Sequence, residues 1–210
     1  MQGLIGQKVG MTRVFDKETG EVVPVSIIET GANVIHQMKS TEKDGYAAAQ
    51  LGFSTVAERK LTKPVLGHVK KWGNVASRVL KEFAVDQTDA ELKPGARVGV
   101  EIFENVKFVD VTGISKGRGF TGTIKRYNFK RGRKTHGNTN YRERGSTGSN
   151  TFPARVFPGL RMAGQHGNAQ NTVKRLKVVK LDKEGGLILV RGAIPGKTKG
   201  IVFVTKNTRG

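Results

Sequence analysis

The sequence predicts a mainly β fold: a globular β-barrel or sandwich with a long, irregular, basic loop extension and one short helical segment. Three observations lead there. Short runs of β-branched residues, punctuated by Gly, Pro and Asp turns, fill both ends of the chain. Between Asp110 and Asp182 lie sixteen Lys and Arg, eleven Gly and a single acid, Glu143, with too few aliphatic residues for a core. Only one segment, beginning near Pro64, spaces its apolar residues as a helix does.

Taken in order, Val22, Val23, Val25, Ile27 and Ile28 form the first clear strand, with Pro24 marking an edge or a bulge. After the Thr30-Gly31 break, 33–38 is the next strand. Asp44-Gly45 is a turn signal, and 46–53 follows as a strand. In 64–83, Val65, Val69, Trp72, Val79 and Phe83 recur near helical spacing, so a short helix is expected from Pro64. Gly73 interrupts it, and 77–85 reads equally well as a strand. Beyond Pro94-Gly95, Val98, Val100 and Ile102 alternate with Arg97, Gly99 and Glu101, the period of a half-buried strand over 97–103. The segment 107–112 alternates in the same way. Strands return at 176–181, at 187–190 after the Glu184-Gly185-Gly186 turn, and at 201–205. The expected organisation is one discontinuous globular domain, 1–112 and 176–210, with 113–175 as an extended Gly/Arg-rich loop. A connection of that length argues against an assignment unless it has a function of its own.

Charge supplies that function. The chain has a formal charge of +20, but it is local: 111–181 holds sixteen basic residues against one acid, and the rest holds twenty-one against sixteen. Clustered positive charge is the footprint of nucleic-acid binding, and its self-repulsion calls for a counter-charge. There is no Cys, which excludes disulfides and thiolate metal sites. The N-terminal residues lack the apolar run of a signal peptide, and no apolar run approaches the roughly 18–20 residues that span a bilayer. A soluble, intracellular chain without a membrane partner is expected.

Gly117-Arg118-Gly119-Phe120-Thr121-Gly122 matches G-x-G-x-x-G, but 123–130 is not the apolar crossover helix that a dinucleotide site requires. A glycine segment that lets phosphates approach, neutralised by Lys116, Arg118, Lys125 and Arg126, fits better. Further on, Arg131, Arg133, Arg142, Arg144, Arg155 and Arg161 favour forked contacts to structured phosphates. Lys130, Lys134, Lys174 and Arg175 extend the basic set. His136 and His166 lie 30 residues apart without other ligands, so they are assigned to phosphate or base contact, not to a metal. The rings of Phe120, Tyr127, Phe129, Tyr141, Phe152 and Phe157 divide between stacking on unpaired bases and pinning the loop down. Glu143 is read as a salt-bridged organiser. No nucleophile–base arrangement stands out, so no catalytic residue, cofactor, metal or small-molecule substrate is expected.

Phe103, Asp110, Gly113, Ser115, Gly117, Arg118, Gly119, Gly122 and Arg126, in this spacing, resemble the signature of the universal large-subunit ribosomal protein family L-three. Gly3-Leu4-Ile5-Gly6-Gln7-Lys8-Val9-Gly10-Met11-Thr12, Met162-Ala163-Gly164-Gln165 and Arg191-Gly192-Ala193-Ile194-Pro195-Gly196 resemble three further blocks of it. The resemblance implies a closed β-barrel at the surface of the large ribosomal subunit, in the cytoplasm, beside neighbouring ribosomal proteins. It also implies direct binding of 23S ribosomal RNA near its 3′ end, a part in nucleating subunit assembly, and a loop running toward the peptidyl transferase centre. On that model Gly148, Ser149, Asn150 and Thr151 form the loop tip. Many bacterial members carry a Gln in this tip, and in some it is N-methylated; the residues at 148–153 include none. Two competing readings are a sequence-tolerant RNA chaperone acting off the ribosome and a barrel enzyme holding a phosphorylated cofactor at 117–122.

Overall fold

The structure is a computed structural model that describes residues 1–16, 20–31, 33–72, 75–85 and 93–207 of the 210-residue chain. Its described strands are β1 (Gly3–Phe15), β2 (Val22–Glu29), β3 (Asn33–Lys39), β4 (Ala48–Thr55), β5 (Ser77–Ala84), β6 (Arg97–Val98), β7 (Phe108–Ile114), β8 (Phe120–Thr121), β9 (Gly164–Gln165), β10 (Gln170–Asp182), β11 (Leu187–Arg191) and β12 (Ile201–Lys206). Three helices, α1 (Thr41–Asp44), α2 (Lys63–Lys71) and α3 (Thr123–Tyr127), lie between them. None of the described helices is long and apolar enough to cross a membrane.

Two compact units divide the chain: Met1–Ile114 with Gln170–Gly210, and Ser115–Ala169. In the first, six strands close into a barrel in the order β1-β12-β7-β10-β11-β2. Period two fills its interior. Val109 and Val111 of β7, Ile188 and Val190 of β11, and Val202 and Val204 of β12 are buried, each two residues from its partner. Each side chain of this size stabilises the fold by roughly 1.5–3 kcal/mol when fully buried. Residues 3–6 of β1 are buried on both faces. A second sheet, β5-β4-β3-β6, covers their other side with Ile35, Leu51 and Phe83. Gly3 is the close approach between the two: a Cβ there would lie 2.6 Å from the Phe83 ring. Asn33 joins them as well, since its buried amide accepts from the Ile5 amide N (3.1 Å) and donates to the carbonyls of Ile5 and Thr30 (3.0 Å each).

The strands expected at 22–28, 33–38, 46–53, 107–112, 187–190 and 201–205 correspond to β2, β3, β4, β7, β11 and β12. Pro24 sits where β2 has run past the last β11 pair, Arg191 with Val25, so its missing N–H leaves that ladder intact. The helix from Pro64 is α2, with Pro in its first turn, and the ambiguous 77–85 is β5; Gly73 lies outside the described residues. Two elements differ from expectation. The 97–103 strand stops at Val98, and Val100–Phe103 is a 3-10 turn. That turn carries Val100 and Phe103, three residues apart, inward to 1% and 0% exposure. The strand expected at 176–181 begins at Gln170, paired with Ile114 of β7, so Lys174 and Arg175 belong to a barrel strand. A register shift between Val173 and Leu176 marks a bulge there. In it, Arg175 has φ +55° and donates its amide to Asp110 Oδ1 at 2.8 Å.

Candidate nucleic-acid interface

The unit Ser115–Ala169 holds twelve Lys and Arg and one acid. No apolar side chain in it is buried; Thr121 and Thr123 are its only buried residues. Backbone pairing and cationic braces hold it together instead.

A two-stranded stem comes first. The Ser115 amide donates to the Ala169 carbonyl (2.9 Å), Arg118 to His166 (2.8 Å) and His166 to Gly119 (2.9 Å). The stem ends in the β8–β9 pair, with Phe120 opposite Gln165 and Thr121 opposite Gly164. Gly167 has φ +71°, and a Cβ there would collide with the Lys116 carbonyl, so the arms cross at a distance that only glycine permits. Beyond the stem, α3 ends on Asn128 in the left-handed conformation (φ 59°).

Two arginines brace the loop that continues from α3, and both are half-buried. Arg126 donates Nη1 to the Met162 carbonyl (2.9 Å) while its guanidinium lies 5.0 Å from the Tyr127 ring centroid. A Cβ at Gly164 would lie 2.6 Å from that Nη1, which accounts for the glycine. Arg144 donates Nε to the Arg161 carbonyl (2.8 Å) and Nη1 to the Ser146 carbonyl (3.1 Å), tying the two arms across the loop. Arg161 sits 5.8 Å over the other partner of Arg126, the Tyr127 ring, and Tyr127 meets Phe129 at 6.4 Å. Arg131 reaches the Tyr141 hydroxyl at 3.3 Å.

The remaining cations make no side-chain hydrogen bond or ion pair with the described residues: Lys116, Arg118, Lys125, Lys130, Arg133, Lys134, Arg142 and Arg155 are all exposed. Arg155 lies 5.6 Å over the Phe157 ring. His136 is exposed and bonded to Thr135 Oγ1, whereas His166 is a half-buried part of the stem. Lys174 and Arg175 stand on β10, in the other unit. Glu143 departs from expectation. It is exposed and forms no ion pair with any described residue, because its neighbours Arg142 and Arg144 point to solvent and to backbone carbonyls respectively.

The chain reverses between Gly148 and Arg155: a Cβ on Gly148 would lie 3.9 Å from the Arg155 carbonyl oxygen. Gly148, Ser149, Asn150 and Thr151 are exposed in this turn, and Phe152 is 88% exposed. The aromatics thus divide. Tyr127, Phe129 and Tyr141 pack within the unit, and Phe120, Phe152 and Phe157 are exposed, Phe157 with Arg155 over its ring.

Most of the signature residues serve architecture. Phe103 fills the core, and Asp110 holds the β10 bulge and Asn207 (2.7 Å). A Cβ on Gly113 would press on Val202 and Pro195, and Ser115 Oγ accepts from Ala169. The 117–122 glycines line the stem and lead into a five-residue helix, and the barrel's strand pairs are antiparallel, so no βαβ unit surrounds the motif. Sequence reasoning did not separate bracing from solvent-facing arginines. The small residue Gly164, two positions after the carbonyl that Arg126 holds, was the available signal.

A family model described as Ribosomal protein L3 matches residues 47–186. A large ribosomal subunit protein uL3 from Crocosphaera subtropica is 48% identical over 203 residues, covering 97% of this chain and 95% of its own length. The uL3 protein of a Picosynechococcus species is 46% identical over 202 residues (96% and 94%), and that of Burkholderia lata 48% over 205 residues (97% and 94%).

Proposed function

This chain belongs to the ribosomal protein L3 family, structural proteins of the large ribosomal subunit, and from that membership we propose that its basic unit is a 23S ribosomal RNA-binding device. In this reading it binds near the RNA 3′ end, helps nucleate subunit assembly, and directs its tip, Gly148 to Thr151, toward the peptidyl transferase centre. The barrel meets neighbouring ribosomal proteins, and the chain has no catalytic role of its own. One observation carries the proposal: nine exposed cations, the eight above and Arg161, have no hydrogen-bond or ion-pair acceptor among the described residues and sit on a unit that lacks a buried apolar side chain. Such a surface gains its stabilisation from outside, as phosphates displace its counterions. The braces Arg126 and Arg144 shape the backbone, and Lys116, Arg118, Lys125, Lys130, Arg131, Arg133, Lys134, His136, Arg142, Arg155 and Arg161 meet RNA. His166, Lys174 and Arg175 complete the set from the stem and from β10.

The test is co-sedimentation with large subunits through a high-salt wash, together with binding to a 23S transcript and to unrelated RNA at about 0.15 M salt. Retention on subunits and a clear preference for the 23S transcript are expected. Arg155→Ala should weaken binding and flatten the salt slope by about one while the thermal transition of the barrel is kept. Equal affinity for both RNAs would mean a sequence-tolerant chaperone instead.

A further inference from the structure

Three of the exposed cations meet at a concave feature with mixed chemistry. Between β8 and the start of α3 a cavity of about 320 Å³ is lined by Arg118, Phe120, Thr121, Lys125 and Arg142, with residues 122–124 completing its wall. That volume falls at the lower end of the ~300–1,000 Å³ that small-ligand sites occupy, enough for one nucleotide and too small for a base pair. No acid lines it, and its three cations make no side-chain hydrogen bond or ion pair with described residues. Phe120 is held by its backbone in the β8–β9 pair while the residue is 78% exposed, which leaves its ring open to a ligand. Thr121 beside it is 7% exposed, and its Oγ1 finds no hydrogen-bond partner among the described residues.

We infer that this cavity is a receptor for a single unstacked nucleotide of the RNA, its base stacked on Phe120 and its phosphate held among Arg118, Lys125 and Arg142. The inference rests on the proposed RNA binding and adds to it a specific mode. An aromatic face accepts any base, whereas only a phosphate-bearing, splayed residue uses ring, cations and concavity together. The Phe120 position therefore contributes to affinity through stacking, and the three cations through charge, so the two contributions separate experimentally.

The experiment uses the full chain and a 23S ribosomal RNA transcript, with zero-length ultraviolet crosslinking read by mass spectrometry and affinity measured across a salt series. The wild-type chain should crosslink one unpaired nucleotide to the peptide containing Phe120. Phe120→Ala should lose that crosslink and about tenfold in affinity with the salt slope unchanged, whereas Phe120→Trp should keep both. Arg142→Gln should keep the crosslink and reduce the salt slope by about one. Specific wild-type binding with no loss in Phe120→Ala, or a crosslink from Phe120 to base-paired nucleotides, would overturn the inference alone. Wild-type binding that does not discriminate the 23S transcript from unrelated RNA would overturn the 23S ribosomal RNA reading and this one with it.

Discussion

His36 shows how much one side chain can constrain. It is fully buried on β3, its Nε2 lies 2.9 Å from Ser77 Oγ, and Gly52 on β4 runs so close that a Cβ there would collide with the ring. Burial pushes the imidazole below its ordinary 6.5, and the nearby His68 adds to the same direction. The folded protein therefore favours the neutral ring, and between that lowered value and 6.5 the unfolded chain binds more protons. Stability from this group is complete above pH 6.5 and is lost as pH falls through 6.5 toward the lowered value, with a slope of at most about 1.4 kcal/mol per pH unit. Glu82 acts in a lower window. Its hydrogen bond from Lys39 (3.0 Å ion pair) holds the carboxyl below its ordinary 4.5, so its contribution survives until pH drops below 4.5. Denaturant titrations between pH 5 and 8 should consequently show stability rising with pH up to about 6.5, and His36→Gln should flatten that rise whatever its own stability. An unchanged slope in the variant would place the titration elsewhere.

The element most instructive for packing is the 3-10 turn Val100–Phe103. Strand alternation would place Val98, Val100 and Ile102 on one inward face; the turn instead brings Val100 and Phe103 inward and leaves Ile102 half-buried. The two geometries order the core differently. Phe103→Ala should cost about 3–5 kcal/mol and Ile102→Ala distinctly less, about 1 kcal/mol, measured by chemical denaturation. The reverse order would restore the strand. Period two was legible in β7, β11 and β12 because each presents one face to a barrel interior. It misled at 97–103, where the chain turns into a 3-10 segment after Gly99 and three-residue spacing carries Val100 and Phe103 inward. The second sheet was not legible at all, since β3, β4 and β5 read locally like barrel strands, and only pairings between distant segments, such as β1 with β12, decide which strands close the ring. The arginines posed the same difficulty. Arg126 and Arg144 differ from Arg118 and Arg142 only in which carbonyls the fold brings within reach. The glycine-rich, acid-poor character of the region was visible in composition alone.

Across the whole molecule, two units obey different physics. The barrel unit buries most of its apolar residues in one cluster and ties its sheets through satisfied polar groups such as Asn33. The basic unit has neither resource. Within 129–161 the backbone-to-backbone bond outside regular elements is Gly132 to Tyr141, and the side-chain bonds of Arg131, Thr135, Asn138, Arg144 and Ser146 are exposed or half-exposed. Ordering a chain costs about 1–2 kcal/mol per residue, a sum that so few bonds cannot offset over this length, and repulsion among the unpaired cations adds to it. The free protein should therefore populate the described arrangement of 129–161 only in part and complete it when phosphates arrive. Hydrogen exchange separates the two cases. Amides of β7, β10 and β12 should be protected in the free protein and those of 129–161 should exchange nearly unprotected, then slow on addition of a 23S ribosomal RNA transcript. Protection of 129–161 without RNA would show that the braces suffice, and the unit would then act as a preformed wedge whose binding carries no ordering cost.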